Sequence, residues 1–212
     1  MTKRTHYPIL VAALVALVFL AGCLSTSDTT PVVSLVPPTP SPTPCVLEPI
    51  AVPTPPDEIP GYAELDPTTG LHVTGTAPEI DLDAYRLEIT GKVDRPLSLT
   101  YDDLRCMPRL QRRCTIVCPG FFQDEATWAG ASLDHILEQA GVQPEADRLR
   151  LVGGDGYTRI VFLNDLLPKD GFIAYEWEGE PLPIIHGFPV RAVFPALNGN
   201  NWVKWLVEIE VY

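Results

Sequence analysis

The 212-residue chain carries 27 acidic against 15 basic residues, a net charge of −12, and 46% of it is hydrophobic. That is enough apolar material for one buried core plus appendages. The acidic balance argues against nucleic acid as a partner, because phosphate binding needs a basic patch, and it is compatible with a small-molecule substrate.

Residues 1–22 read as a targeting segment. Lys3 and Arg4 precede an apolar run over residues 9–21, shorter than the roughly 20 residues that span a bilayer comfortably. The run ends in Leu20-Ala21-Gly22-Cys23, which resembles the lipobox of bacterial lipoproteins. That resemblance implies a signal peptide cut before Cys23, palmitate-type acylation of Cys23 and a lipid-anchored position on the outer side of a membrane in the bacterial cell envelope. The bland alternative is an ordinary cleaved signal peptide. Either cut removes two basic residues and no acid, leaving 13 basic against 27 acidic residues, a charge of −14. Residues 23–60 read as a tether. Eleven of the 23 prolines fall between Pro31 and Pro60 among Ser and Thr, a composition that favours extended polyproline II and offers no period to bury. Cys45 sits within it as a stray thiol or an intermolecular link.

The folded domain is expected over 61–212. Residues 85–91 alternate and stop at Gly91, which predicts a strand. A short helix follows at Tyr101-Asp-Asp-Leu, capped by Thr100. A β-branched run over 113–118 predicts a strand that delivers Cys118 to a loop at Pro119-Gly120. Ser132 is a good N-cap for a helix over 133–140 that Gly141 ends. Residues 148–152, 158–162, 172–177, 190–194 and 206–211 read as strands, with an Asn164-capped turn stopping at Pro168. Many short strands with few short helices give an α+β class, predominantly β.

Four separated motifs then stand out: Tyr85-Arg-Leu-Glu-Ile-Thr-Gly with its following helix, Cys118 with Trp128-Ala-Gly, Asp155-Gly-Tyr-Thr, and Pro181-Leu-Pro-Ile-Ile-His186-Gly-Phe-Pro-Val-Arg191 with Trp202-Val-Lys204-Trp205. In that order they resemble the molybdopterin-binding domain of sulfite oxidase-like oxidoreductases, over roughly residues 80–212. The resemblance implies that fold of mixed short sheets and a molybdopterin cofactor carrying molybdenum. It implies that Cys118 is the metal ligand and catalytic residue, and that Asp155, His186, Arg191 and Lys204 bind the cofactor. The chemistry is consistent: a thiolate is a soft donor suited to such a metal. Arg grips a phosphate bidentately while Lys supplies a point charge. Asp155 can accept a pterin N–H.

Each residue also has a plainer reading. Cys118 could be bridged to Cys114 or Cys106, since exported proteins form disulfides. Cys106 and Cys114 are expected to be paired or buried. His186 could be a satisfied turn histidine, Arg191 and Lys204 surface charges, Asp155 a turn residue, Trp202 and Trp205 core. His135 reads as surface; His72 is left open. The chain departs from sulfite-oxidising members in having Pro119-Gly-Phe-Phe after the cysteine, with no arginine, and Val73-Thr-Gly-Thr-Ala-Pro where they have Arg-Asn-His. The family's active-site tyrosine and dimerising domain would lie beyond Tyr212. Lys3-Arg4 stands where folded export calls for two arginines. The pattern is closer to the small periplasmic methionine sulfoxide reductase subunits, with Phe121 and Phe122 giving an apolar mouth. The expected function is a membrane-anchored molybdopterin-dependent oxidoreductase performing oxygen-atom transfer on a small extracytoplasmic substrate, with a membrane haem protein as electron partner. The competing reading is a cofactor-free binding module on the same fold.

Overall fold

The computed structural model describes residues 45–166 and 170–212. The targeting segment, the lipidation site Cys23, the tether as far as residue 44 and the Pro168 stop lie outside the described residues. No helix among the described residues is long and apolar enough to cross a membrane. Pro44–Tyr212 form one compact unit.

Two short strands, β1 (Leu65–Asp66) and β2 (Leu71–His72), pair antiparallel ahead of the main sheets. Strands β3 (Leu87–Gly91) and β4 (Leu97–Leu99) then lead into helix α1 (Tyr101–Arg105). Thr100 caps α1 as its sequence predicts. Its hydroxyl accepts from the Asp103 backbone N–H at 3.0 Å, while the Asp103 carboxylate accepts from the Thr100 N–H at 2.9 Å, a reciprocal capping box. Strand β5 (Arg109–Cys118) and strand β6 (Phe122–Ser132) form a long hairpin. Helix α2 (Leu133–Ala140) follows, with Ser132 as N-cap and Gly141 ending it in the left-handed region at φ 70°. It buries Leu133, Ile136 and Ala140, the i, i+3, i+7 spacing of a single helical face.

Strands β7 (Arg148–Gly153), β8 (Thr158–Phe162), β9 (Phe172–Trp177), β10 (Glu180–Pro181), β11 (Arg191–Val193) and β12 (Leu206–Val211) complete the fold. One sheet runs β10-β9-β6-β5, with β11 also on β9; the other runs β4-β3-β12-β7-β8. Strand β12 is parallel to β3 and antiparallel to β7, so the end of the chain sits inside the second sheet. Leu87, Ile89, Leu149, Leu151 and Ile209 from that sheet, with Trp128, Phe172, Ile173 and Phe194 from the other side, belong to one buried core. Each such side chain contributes about 1.5–3 kcal/mol of burial. The outer strand β5 is blunted by exposed arginines, of which Arg113 pairs with Glu125 at 2.9 Å and Arg112 with Asp170 at 3.4 Å.

The loop expected at Pro119-Gly120 is a tight hairpin turn, and the stretch from there to α2, for which the sequence suggests no element, is strand β6, paired to β5 from Cys118↔Phe122 to Arg109↔Ala131. One expectation needs correction. Cys45 is neither stray nor intermolecular. It is bridged to Cys106, so the proline-rich segment is pinned to the domain before residue 61. Next to the bridge, Arg105 donates to the Glu48 carbonyl at 2.7 Å and Ile50 packs on the core.

Candidate functional site

The hairpin β5–β6 turns through Pro119 and Gly120, the latter at φ 82°, and leaves Cys118 at the strand end as predicted. Among the described residues Cys114 and Cys118 carry free thiols, both half-buried. The disulfide alternative for Cys118 therefore does not hold, because Cys106 takes Cys45 instead. Cys114 lies four residues earlier on the same strand. Its burial pushes the thiol up to about 11, so it stays protonated.

Cys118 lines a cavity of about 250 Å³. Ile116 and Phe122 flank it on the hairpin, Asp155 and Tyr157 come from the β7–β8 turn, Arg191 from β11, and Trp202, Lys204 and Trp205 from the segment before β12. Of the predicted site residues, Cys118, Asp155, Arg191 and Lys204 thus meet on one cavity.

Arg191 is buried at 4% exposure between two indoles, its guanidinium carbon 4.8 Å from the Trp128 ring centre and 5.9 Å from that of Trp202. It donates to the His186 carbonyl at 3.0 Å and the Trp202 carbonyl at 3.3 Å, and its Nε has no partner among the described residues. Burial lowers its pKa to about 10. Lys204 donates to the Ile185 carbonyl at 2.9 Å and to the Thr74 carbonyl, with its ammonium 4.5 Å from the Trp205 ring centre. Burial, then the Arg191 charge, lower it to about 7. Among the described residues neither cation has a carboxylate within salt-bridge distance. Asp155 and Asp124 act on them only from beyond that distance, and two buried cations facing one cavity without a paired carboxylate are costly unless an anion joins them.

The backbone around Lys204 is bent to this purpose. Trp205 has φ 50°, a conformation that costs a bulky residue on the order of 1–3 kcal/mol. Its indole N–H donates to the Ile184 carbonyl at 2.7 Å, which holds the ring under the ammonium. Gly75, also lining the cavity, has φ 70°; a Cβ there would sit 3.1 Å from Trp205 and 3.2 Å from the Asp155 carboxylate. Asp155 accepts from the Tyr157 backbone N–H at 3.0 Å, the turn role its position also suggested.

His186 lies apart from the large cavity. It is buried, with Nε2 at 3.1 Å from the Asp66 carboxylate and 3.0 Å from the Thr69 hydroxyl. Burial drives its pKa down to about 4, leaving a neutral imidazole. Burial would raise Asp66, yet hydrogen bonds from Thr69, Thr68 and His186 outweigh it and keep that carboxyl below its usual range. His186 lines a second cavity of about 20 Å³ that shares Thr74, Ile116, Phe122, Arg191 and Lys204 with the first. Two further residues line this small cavity: His72, which the sequence leaves open, and Asp124, which it does not single out; their 52-residue separation leaves no local spacing to read.

The family described as "oxidoreductase molybdopterin binding domain" matches residues 74–212. An uncharacterized oxidoreductase of Bacillus subtilis, YuiH, is 37% identical over 142 residues, covering 66% of this chain and 71% of that protein. Human mitochondrial sulfite oxidase is 33% identical over 164 residues, and an NADH nitrate reductase of Volvox carteri 32% identical over 170. The chain spans only 30% and 20% of the length of those two enzymes. The crystal structure of the sulfane dehydrogenase SoxCD from Paracoccus pantotrophus superposes with a TM-score of 0.60 at 29% identity, over 64% of this chain and 40% of that one.

Proposed function

The chain belongs to the oxidoreductase molybdopterin-binding domain family, its cofactor is a molybdopterin, and from that premise we propose a lipid-anchored oxidoreductase that transfers an oxygen atom to or from a small extracytoplasmic substrate. The observation that carries this reading is the free Cys118 thiol sharing one cavity with two buried cations that, among the described residues, have no carboxylate in ion-pair contact. The residues suit the group. A thiol at a strand end offers a soft ligand, and Arg191 and Lys204 offer the positive charge an anionic phosphate tail needs. When bound, the cofactor supplies two-electron redox chemistry at molybdenum.

The chain's own residues bind and orient. Cys118 is the protein ligand. Lys204, lowered to about 7 by burial, is held charged once an anion sits beside it. Arg191 is fixed by two carbonyls and two indoles, so little rotamer freedom remains to be lost on binding. His186 supports the site from behind, its carbonyl accepting from Arg191 and its ring tied to Asp66. Asp155 serves the pterin side. Phe122, Tyr62 and Tyr157 give an apolar mouth, which suits a neutral thioether or sulfoxide better than an oxyanion. The one-electron partner is a haem protein of the membrane, reached because acylation at Cys23 keeps the domain there.

The test is metal analysis of the full chain made in a host that synthesises the cofactor. Wild type carries about one molybdenum per chain, and Cys118→Ser loses it. A metal-free wild type overturns the proposal in favour of the cofactor-free binding module.

A further inference from the structure

We propose that Tyr62 is the residue that selects the substrate at the Cys118 cavity, favouring an organic sulfoxide with an aromatic flank; the inference rests on the function proposed above. Tyr62 lines that cavity together with Cys118, Phe122 and Tyr157. Its exposure is 72% and that of Tyr157 is 43%, whereas Arg191 stands at 4% and Lys204 at 9%. The cavity therefore has a buried cationic side and an open aromatic side. The anionic cofactor belongs with the cations, so a substrate arriving from solvent meets the aromatic side.

The main chain holds Tyr62 in this place. Residues 61–64 form a tight turn in which the Glu64 N–H donates to the Gly61 carbonyl at 3.0 Å and the Glu64 carboxylate accepts from the Gly61 N–H at 2.9 Å. Ala63 takes φ 60° within it, a left-handed conformation unfavourable for any residue with a Cβ, so the surrounding bonds must hold it. Two of them tie the turn to Val73: the Ala63 N–H donates to the Val73 carbonyl at 2.7 Å, and the Val73 N–H to the Glu64 carbonyl at 2.9 Å. Val73 is buried, and the next two residues, Thr74 and Gly75, line the same cavity. Tyr62 is thus mounted on the cavity wall. Tyr157 has its hydroxyl committed to the Asn200 carbonyl at 2.9 Å. Burial raises the Tyr157 phenol above its ordinary value, Arg159 opposes this, and Tyr62, Asp155 and Cys118 add to it. Tyr62 and the thiol therefore both lie near the same phenol. Tyr62 also precedes residues 74–212 that the family match covers, so this part of the wall comes from outside the matched span.

A tyrosine ring at this point discriminates by chemistry. Its face carries partial negative charge, which rewards contact with an aromatic edge or a thioether flank and offers nothing to an oxyanion. The reaction selected breaks the S–O bond of the sulfoxide. It takes up two electrons from the reduced carrier and two protons from solvent, and releases a thioether and one water.

The test compares the full chain as wild type, Tyr62→Phe and Tyr62→Ala. In the molybdenum-loaded proteins, with reduced viologen as donor, kcat/KM is read for methyl phenyl sulfoxide and for dimethyl sulfoxide. Wild type prefers the aryl probe. Tyr62→Ala keeps its molybdenum and loses about 10-fold of that preference through KM for the aryl probe, the size of one aromatic contact. Tyr62→Phe retains the preference, because the ring is what selects. A second reading needs no turnover: in the metal-free proteins, N-ethylmaleimide labels Cys118, followed by peptide mass spectrometry, several-fold faster in Tyr62→Ala than in wild type or Tyr62→Phe. A loaded Tyr62→Ala protein with the wild-type preference, or an unchanged labelling rate, overturns the inference and leaves the proposed function standing. Loss of molybdenum from Tyr62→Ala overturns it too, since Tyr62 is then a cofactor contact, as does a loaded wild type that turns over neither sulfoxide. A metal-free wild type removes the function and this inference together.

Discussion

Lys204 offers a stability test of the site that requires no substrate. Its ordinary value of 10.5 falls to about 7 in the folded protein, chiefly through burial. At about 1.4 kcal/mol per pKa unit, that displacement corresponds to on the order of 5 kcal/mol of penalty for holding the charged form in the fold. The sign follows from linkage. Above 10.5 the amine is neutral in both states and the penalty is absent. As pH falls through the window from 10.5 to 7 the unfolded chain takes up the proton first, so the folded state loses ground. Below 7 both states are charged and the penalty is complete. Lys204→Met removes the titration, and it also strands the Thr74 and Ile185 carbonyls, at about 1–3 kcal/mol each. That second cost does not vary with pH. The stability of metal-free Lys204→Met relative to metal-free wild type, measured by urea unfolding from pH 6.5 to 9.5, is therefore expected to be most favourable at the acid end. It declines by several kcal/mol toward pH 9.5. A difference that stays flat with pH, or grows with it, refutes the claim that Lys204 is a buried cation awaiting an anion.

Three other outcomes follow from the same geometry. Cys114→Ser should retain molybdenum where Cys118→Ser does not, because the Cys114 thiol is held protonated by burial and is not among the residues lining the large cavity; metal analysis of the two variants decides. Replacing both Cys45 and Cys106 by Ala opens a link across 61 residues of sequence and should lower the unfolding free energy by about 2–4 kcal/mol, read by denaturation under oxidising conditions. Gly130→Ala should unfold the hairpin side of the domain at moderate temperature. Its Cβ would fall 2.0 Å from the Ile173 carbonyl, where β6 crosses β9 at an irregular register, and circular dichroism melting would show the loss.

Much of the frame could be read from local chemistry. The Thr100 cap, the Ser132-to-Gly141 helix, and the strands at Thr158–Phe162, Phe172–Trp177 and Leu206–Val211 stand where the sequence places them. These segments carry their own caps, breakers or apolar runs. Strand β6 escaped because Gln123, Asp124 and Glu125 lower its apparent strand propensity; Asp124 is nevertheless buried, since His72 satisfies it from a distant segment. The Cys45–Cys106 pairing was hidden for a related reason: spacing alone does not fix disulfide connectivity. The cavity residues Cys118, Asp155, Arg191 and Lys204 were legible because they sit in compact motifs. The inward turn of His186 was not, because its partner Asp66 lies 120 residues away.

The central claim is that Cys118 is the protein's ligand to molybdenum, and X-ray absorption at the molybdenum edge tests it most directly. Loaded wild type should show one more sulfur scatterer on the metal than the cofactor's own dithiolene supplies. A sulfur count met by the dithiolene alone would contradict the account.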